Sequence, residues 1–215
     1  MLQIKTFEFN SFQENTYVLY NANNSCIIID PGCYFENECD ELIEFISSNN
    51  LTPKLLLNTH CHLDHVFGNR LVAERYKLCL HINERELAVL RYAPRSGLIY
   101  NLPFENYDGK FIFLDDGDKI KLGDDELVVL ETPGHSVGSL SFYCANQNFV
   151  ISGDTLFLNG IGRTDLPGAM HTQLLKSIRK KLLKLPEDTI VYSGHGMPTS
   201  IGYEKINNPF LQLES

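Results

Sequence analysis

The chain has 215 residues, 43% of them hydrophobic and 21% charged, proportions that fit a folded protein with one sizeable core. Its formal net charge of −9 disfavours a phosphate-tracking groove, so nucleic acid is not an expected partner. No apolar run approaches the roughly 18 residues of a membrane span, and MLQIKTFEFNSFQENTYVLY lacks a basic stretch followed by an apolar block, so neither membrane nor signal peptide is expected and the cytoplasm is the predicted compartment.

The runs IKTFEF, NTYVLY and SCIIID are β-branched and aromatic and predict three successive strands, the last stopped by Pro31-Gly32. ENECDELIEFISS places Cys39, Leu42, Ile43 and Ile46 at helical spacing. KLLLN reads as a buried strand running into a histidine-rich stretch, HVFGNRLVAERY as one helix, LCLHI as a strand and NERELAVLRY as a helix. Period two sets His81 opposite Leu80 and Ile82, which places it at the surface or a sheet edge. Residues 92–109, YAPRSGLIYNLPFENYDG, are rich in turn formers and aromatics and predict an irregular segment, either a lid or a connection covering a sheet edge. Five further strands follow in KFIFLDD, DKIKLG, ELVVLETPG, SLSFYCA and NFVISGD, then a helix in HTQLLKSIRKKLLKL and a last strand in TIVYSGHG. No repeat or low-complexity linker divides residues 1–215, which are expected to form one α/β domain of two packed sheets flanked by helices. The six cysteines show no C-x-x-C pair and read as reduced thiols, several of them core residues.

NTHCHLDH, residues 58–65, holds three of the seven histidines. In extended backbone His60 and His62 point the same way, while Asp64 and His65 are offset as a helix begins, so they reach a second point nearby. A solvated polar loop explains one histidine but not an H-x-H-x-D-H cluster. Three later strands each end in glycine plus a ligand-type side chain: LETPGHS with His135, VISGDTLF with Asp154, VYSGHGM with His195. Five histidines and two aspartates are too many for one catalytic ion and suit two. The expected division gives His60, His62 and His135 to one ion, Asp64, His65 and His195 to the other, and Asp154 to both. Imidazole and carboxylate suit Zn²⁺, Fe and Mn²⁺, with zinc the first expectation. Cys61 lies between two ligands and points away from them, into the core.

These blocks, with QENTYVL, IIIDPG, ETPGHSVGSLSF, SGDTLFLNGIGRTDLPG and YSGHGMPTSIGYEKINNPFLQ, cover nearly the whole chain. Together they resemble the metallo-β-lactamase superfamily, and within it the short bacterial branch of the glyoxalase II-like hydrolases. The resemblance implies a four-layer αββα sandwich with metals at one edge. It also implies hydrolysis of a small-molecule thioester, such as S-D-lactoylglutathione, by metal-activated water, with Asp64 and Asp154 in the reacting centre. Asp154 sets the chain apart from β-lactamases of this fold, which generally lack an aspartate bridging the metals. Full-length glyoxalase II enzymes grip glutathione with a helical C-terminal extension; only about twenty residues follow His195 here, so that extension is not expected.

GDTLFLNGIGRTD also resembles persulfide dioxygenases, which would use one Fe(II) on His60, His135 and Asp154. RNA-processing nucleases share the fold, and purely structural metals are a fourth reading. By resemblance Arg163 binds a substrate carboxylate, with a structural salt bridge as its alternative. Asp30 either supports the ligand loop by hydrogen bonds or shapes an Asx turn. Tyr92, Tyr100, Phe104 and Tyr107 either wall a pocket or pack their own loop, and specificity is expected near 92–109 and 157–170.

Overall fold

In a computed structural model, which describes residues 1–212, two six-stranded sheets pack face to face. The first runs β1 (Gln3–Phe9), β2 (Glu14–Tyr20), β3 (Ser25–Ile29), β4 (Thr52–Leu57), β5 (Leu80–Ile82), β6 (Phe111–Phe113) in that order. Its first three strands are antiparallel and the rest parallel. The second comprises β7 (Lys119–Leu122), β8 (Asp125–Glu131), β9 (Leu140–Cys144), β10 (Phe149–Gly153), β13 (Ile190–Ser193) and β14 (Thr199–Ser200), antiparallel except where β10 meets β13. A separate hairpin, β11 (Leu156–Phe157) with β12 (Gly160–Ile161), follows β10.

β3 shows why its sequence is apolar at every position from Cys26 to Ile29. Ile27 and Ile29 face the second sheet among Leu19, Leu127, Val129 and Phe142, whereas Cys26 and Ile28 face helices on the outside. The outer layer on that side is α1 (Glu36–Ser48), α2 (Leu63–Val66), α3 (Asn69–Tyr76) and α4 (Leu87–Ile99), docking Leu42, Ile46, Val66, Val72 and Leu90. On the far face of the second sheet α5 (His171–Lys180) and α6 (Ile201–Asn207) cover Val150 and Val191 with Leu174, Ile178 and Ile201; a short α7 (Pro209–Gln212) follows. Each such side chain, once buried, contributes about 1.5–3 kcal/mol. The layers are αββα, as the resemblance implied. Among the described residues no helix is long and apolar enough to cross a membrane, and all six cysteines are free.

Three sequence expectations are corrected. HVFGNRLVAERY is two helices, α2 and α3, broken at Phe67-Gly68. Gly68 N donates to Pro31 O at 2.7 Å, and a Cβ there would lie 2.5 Å from Cys33 Sγ, so the 31–33 loop presses on the chain and only glycine fits. The segment expected to be irregular from residue 92 is helical as far as Ile99, with Pro94 inside α4. Proline removes the N–H that Leu90 O would accept, and the Asn106 side chain supplies it instead, donating from Nδ2 at 2.6 Å. His81 is buried, because β5 lies between β4 and β6 and His81 shares the inward face of the sheet with its partner Leu57; its Nδ1 meets Leu56 O at 3.0 Å.

Candidate metal centre

The strand ends of both sheets converge at one edge. The loop after β4 carries His60, His62, Asp64 and His65; the turn after β8 carries His135; Asp154 follows β10 and His195 follows β13. The four loops meet closely. The His60 ring centroid is 4.7 Å from that of His62, 4.9 Å from His135 and 4.1 Å from His65. The expected trios His60–His62–His135 and Asp64–His65–His195 each bring their ligand atoms within 4.8 Å of one another. Asp154 spans them: Oδ2 is 3.4 Å from His135 Nε2 and 3.6 Å from His195 Nε2, and Oδ1 is 3.5 Å from His65 Nε2. Every ligand candidate from the sequence is therefore in one cluster.

Two of the marker glycines are explained by close approach. A Cβ on Gly194 would sit 2.1 Å from Asp154 Oδ1, and one on Gly134, at φ +141°, would strike the Leu174 backbone at 2.3 Å.

Hydrogen bonds around the cluster decide which ring nitrogens face inward. Thr59 Oγ1 donates to Asp30 Oδ2 at 2.5 Å, so it accepts from His60 Nδ1 at 3.1 Å. His65 Nδ1 donates to Asp30 Oδ2 at 3.0 Å, His135 Nδ1 to Arg163 O at 2.8 Å, and His195 Nδ1 to Phe12 O at 3.0 Å. Four rings thus turn Nε2 toward the centre. His62 instead points Nδ1 to within 2.8 Å of His135 Nε2.

Asp30 also belongs to a third possible trio, with His60 and His65. Its oxygens already accept from Asn58 Nδ2, Thr59 N, Thr59 Oγ1 and His65 Nδ1, so it acts by orienting the ligand loop. The support role expected for it, more than a plain turn, is what the geometry holds.

A metal fits this cluster on its own terms. His60 Nε2, His65 Nε2 and Asp154 Oδ1 are buried without a hydrogen-bond partner, a costly arrangement unless something else meets them. Burial and the neighbouring histidines hold His60 well below the usual imidazole range, and burial with His135 pushes His62 down to about 3, leaving both in the neutral form a metal requires. Against burial, the carboxylates of Asp64 and Asp154 raise His65 well above its ordinary value. The converse holds for Asp154, which burial would raise but the charge on His65 keeps well below the carboxylate range.

Two supports were not singled out in the sequence. Glu86 is fully buried beside the ligand loops. Its Oε2 accepts from Cys61 N at 2.8 Å, and Oε1 from Ser136 Oγ at 2.6 Å and Gly138 N at 2.7 Å, joining the His60–His62 loop to the His135 turn. A signal existed, since Glu86 falls at helical spacing with the buried Leu90, Ala93 and Gly97. Asn15, in QENTYVL, donates to Ser193 O and Gly196 O at 3.1 and 2.9 Å and so holds the His195 loop.

The cluster floors a cavity of about 1160 Å³ whose walls come from α4, the β11–β12 hairpin and residues 166–168. Tyr92 and Tyr100 line it; Phe104 and Tyr107 do not, packing instead on Phe67 and Phe111. Arg163 also lines it, its guanidinium paired in a bidentate manner with Asp165 at 2.7 Å through both Nε and Nη2. Cys61 is buried in the core as expected, and His171 opens α5 at the surface.

Comparison with known proteins places this geometry in a lineage. "Probable metallo-hydrolase YqgX" of Bacillus subtilis (strain 168) is 39% identical over 201 residues, 93% of this chain and 92% of its own. "Hydroxyacylglutathione hydrolase GloC" of Haemophilus influenzae is 35% identical over the full length of both. The fold matches BLEG-1, described as a B3 metallo-β-lactamase, with a TM-score of 0.90 at 37% identity, covering 98% of this chain and all of that one. It matches TTHA1623 in a di-iron-bound form with a TM-score of 0.86 at 33% identity, covering 96% and 100%. The family model of the metallo-β-lactamase superfamily fits residues 10–195. With its edge-on cluster of histidines and aspartates, the chain belongs to the metallo-β-lactamase superfamily as a metallo-hydrolase.

Proposed function

We propose that the chain is a dinuclear metal-dependent thioester hydrolase of the glyoxalase II-like kind. His60, His62 and His135 would hold one ion, Asp64, His65 and His195 the other, and Asp154 would reach both. The observation that carries this reading is the buried, unpartnered set of His60 Nε2, His65 Nε2 and Asp154 Oδ1 at the meeting point of both trios. Two divalent ions in that cradle lower the pKa of bound water toward neutrality and polarise a carbonyl oxygen, which is the chemistry thioester hydrolysis needs.

The chain's own residues do the positioning. Thr59, Asp30 and the Arg163 and Phe12 carbonyls fix the imidazoles, and the apolar cavity walls border the cluster where a substrate would sit. A thiolate leaves without protonation, so no separate acid is required of the cavity. The likeness to GloC supports S-D-lactoylglutathione as the first substrate to test, and the di-iron form of TTHA1623 supports iron beside zinc as the resident metal. A mononuclear oxygenase would need only His60, His135 and Asp154, and the close approach of Asp64, His65 and His195 favours two ions over one.

The test combines metal analysis of protein purified without added metal with anaerobic thiol release from a thioester panel. A β-lactam is included because of the likeness to BLEG-1. Two ions per chain and thiol release without oxygen are expected. Metal-replete protein that frees no thiol from any thioester would overturn the proposal; one iron, with oxygen consumed on glutathione persulfide, would select the oxygenase.

A further inference from the structure

The cavity above the cluster is far more apolar than a lactoyl group or a glutathione tripeptide requires. Among the described residues outside the metal cluster, Arg163 is the only charged side chain that lines it, and Asp165 holds one edge of that guanidinium through Nε and Nη2. Asp165 is in turn pushed down to about 2 by those hydrogen bonds, so the pair stays charged. A tripeptide bearing two carboxylates finds on these walls a single guanidinium, one edge of which Asp165 already occupies. The side chains that are present belong to a different chemistry.

On one wall stand Tyr92 and Ile99, on the other Phe157 and Leu158, with Met197 at the rim. Several are left open to solvent in spite of their size: Tyr92 is 45% exposed, Ile99 67% and Met197 71%. Scattered apolar residues on a surface are ordinary, but these gather around one opening. The walls are also built to stay in place. Asn106 sustains α4 past Pro94, which is how Ser96 and Ile99 come to line the cavity. Glu204, fully buried, accepts from Asn159 N at the tip of the β11–β12 hairpin and from Thr199 and Asn208, anchoring Phe157 and Leu158. The Phe157 ring lies 6.2 Å from the His195 ring, so the apolar wall begins directly at the reacting centre.

Resting on the thioester-hydrolase reading, we infer that the substrate carries an extended apolar acyl group, an aliphatic chain of about six to ten carbons or an aromatic equivalent, seated between α4 and the β11–β12 hairpin. The polar thiol half then points out through the open side, where the walls ask nothing of it. Burial of each additional methylene is worth roughly a two- to fourfold gain in kcat/KM.

The experiment uses metal-loaded full-length protein and two neutral or charged carriers, N-acetylcysteamine and glutathione, each bearing acetyl, butanoyl, hexanoyl, octanoyl and D-lactoyl groups. The expected result is a rise of kcat/KM with chain length on either carrier, with octanoylglutathione ahead of S-D-lactoylglutathione. In the variants Tyr92→Ala and Leu158→Ala the ratio of octanoyl to acetyl rates should fall. A second arm measures calorimetric binding of the inert thioethers S-octyl- and S-ethyl-N-acetylcysteamine to the same protein. Tighter binding of the octyl compound supports the apolar seat without any turnover. Thiol release that is flat with chain length, or fastest for the lactoyl ester, overturns the inference and leaves the hydrolase reading standing. No thiol release from any ester, with octyl binding still preferred, overturns the hydrolase reading and keeps the seat; equal thioether binding removes the seat.

Discussion

Replacing Glu86 with glutamine tests whether the two ligand loops are held together by one buried carboxylate. The substitution keeps shape and volume but exchanges one acceptor oxygen for a donor. With the amide oxygen at the position of Oε1, the bonds from Ser136 and Gly138 survive as neutral ones, and the amide nitrogen faces the N–H of Cys61. A buried N–H left without an acceptor costs about 1–3 kcal/mol, and loss of charge assistance in the other two bonds adds to it. Relief of the carboxylate's own burial, which pushes Glu86 above the usual range, works in the opposite direction. The balance is a destabilisation of roughly 1–3 kcal/mol, or about 3–10 °C in Tm for a chain of this size. Because the contacts at stake lie one residue from His60, His62 and His135, metal affinity should fall about 10–100-fold, the usual consequence of loosening an outer contact of a metal site. Thermal unfolding and competition against a chelator of known affinity read the two effects separately. A lower Tm with unchanged metal affinity would make Glu86 a core residue only, and no change in either would refute the clamp altogether.

Asp154→Asn should bind at most one ion per chain and lose more than about a hundredfold in hydrolysis, since it removes the carboxylate that reaches both trios; two ions by elemental analysis would contradict its bridging place. Asp30→Asn, which disrupts the acceptors for Thr59 and His65, should weaken metal binding about 10–100-fold by chelator competition without altering the ligands themselves. Asn106→Ala should cost about 0.5–1.5 kcal/mol, roughly 2–4 °C in Tm. In a Pro94→Ala background, where residue 94 can donate to Leu90 O, the same change should cost close to nothing; strict additivity in this cycle would show that Asn106 is not standing in for the missing N–H.

The metal cluster was legible because its signal is local. H-x-H-x-D-H is a contiguous pattern, and each remaining ligand sits directly behind an apolar strand and a glycine. The strands were legible for the same reason, since β3 and β10 declare themselves within a handful of residues. What escaped depends on partners distant in the chain. Pro94 reads as a helix end until Asn106, twelve positions on, replaces the donor that proline lacks. Gly68 breaks a continuous helical pattern because the loop at Pro31 presses against it. His81 reads as a surface residue by alternation, yet β5 has neighbours on both edges and a second sheet packs over the inward face that His81 shares with Leu57. Glu86 follows the apolar period of α4 while carrying a charge, and only the folded loops supply the three donors that explain it.

Half of the oriented rings in the cluster are aimed by groups that side-chain substitution cannot reach. His135 and His195 are aimed by main-chain carbonyls, those of Arg163 and Phe12, and the donors meeting Asp30 include the N–H of Thr59. Loop hydrogen bonds, from Phe12 N to Asn10 Oδ1 and from Gly162 N to Thr155 O, hold the backbone that carries those carbonyls, so part of the entropy of fixing the rings is lost during folding. Arg163 shows the consequence. Its backbone serves the cluster at 2.8 Å while its guanidinium, half in solvent, is bound to Asp165. One position therefore carries two separable duties, of which only the main-chain one touches a ligand of the centre. His62 stands apart from the other four, since among the described residues its ring meets no oxygen acceptor and is set by the rings of His135 and His60. Four imidazoles are thus preset by the fold, and the fifth depends on what the others hold.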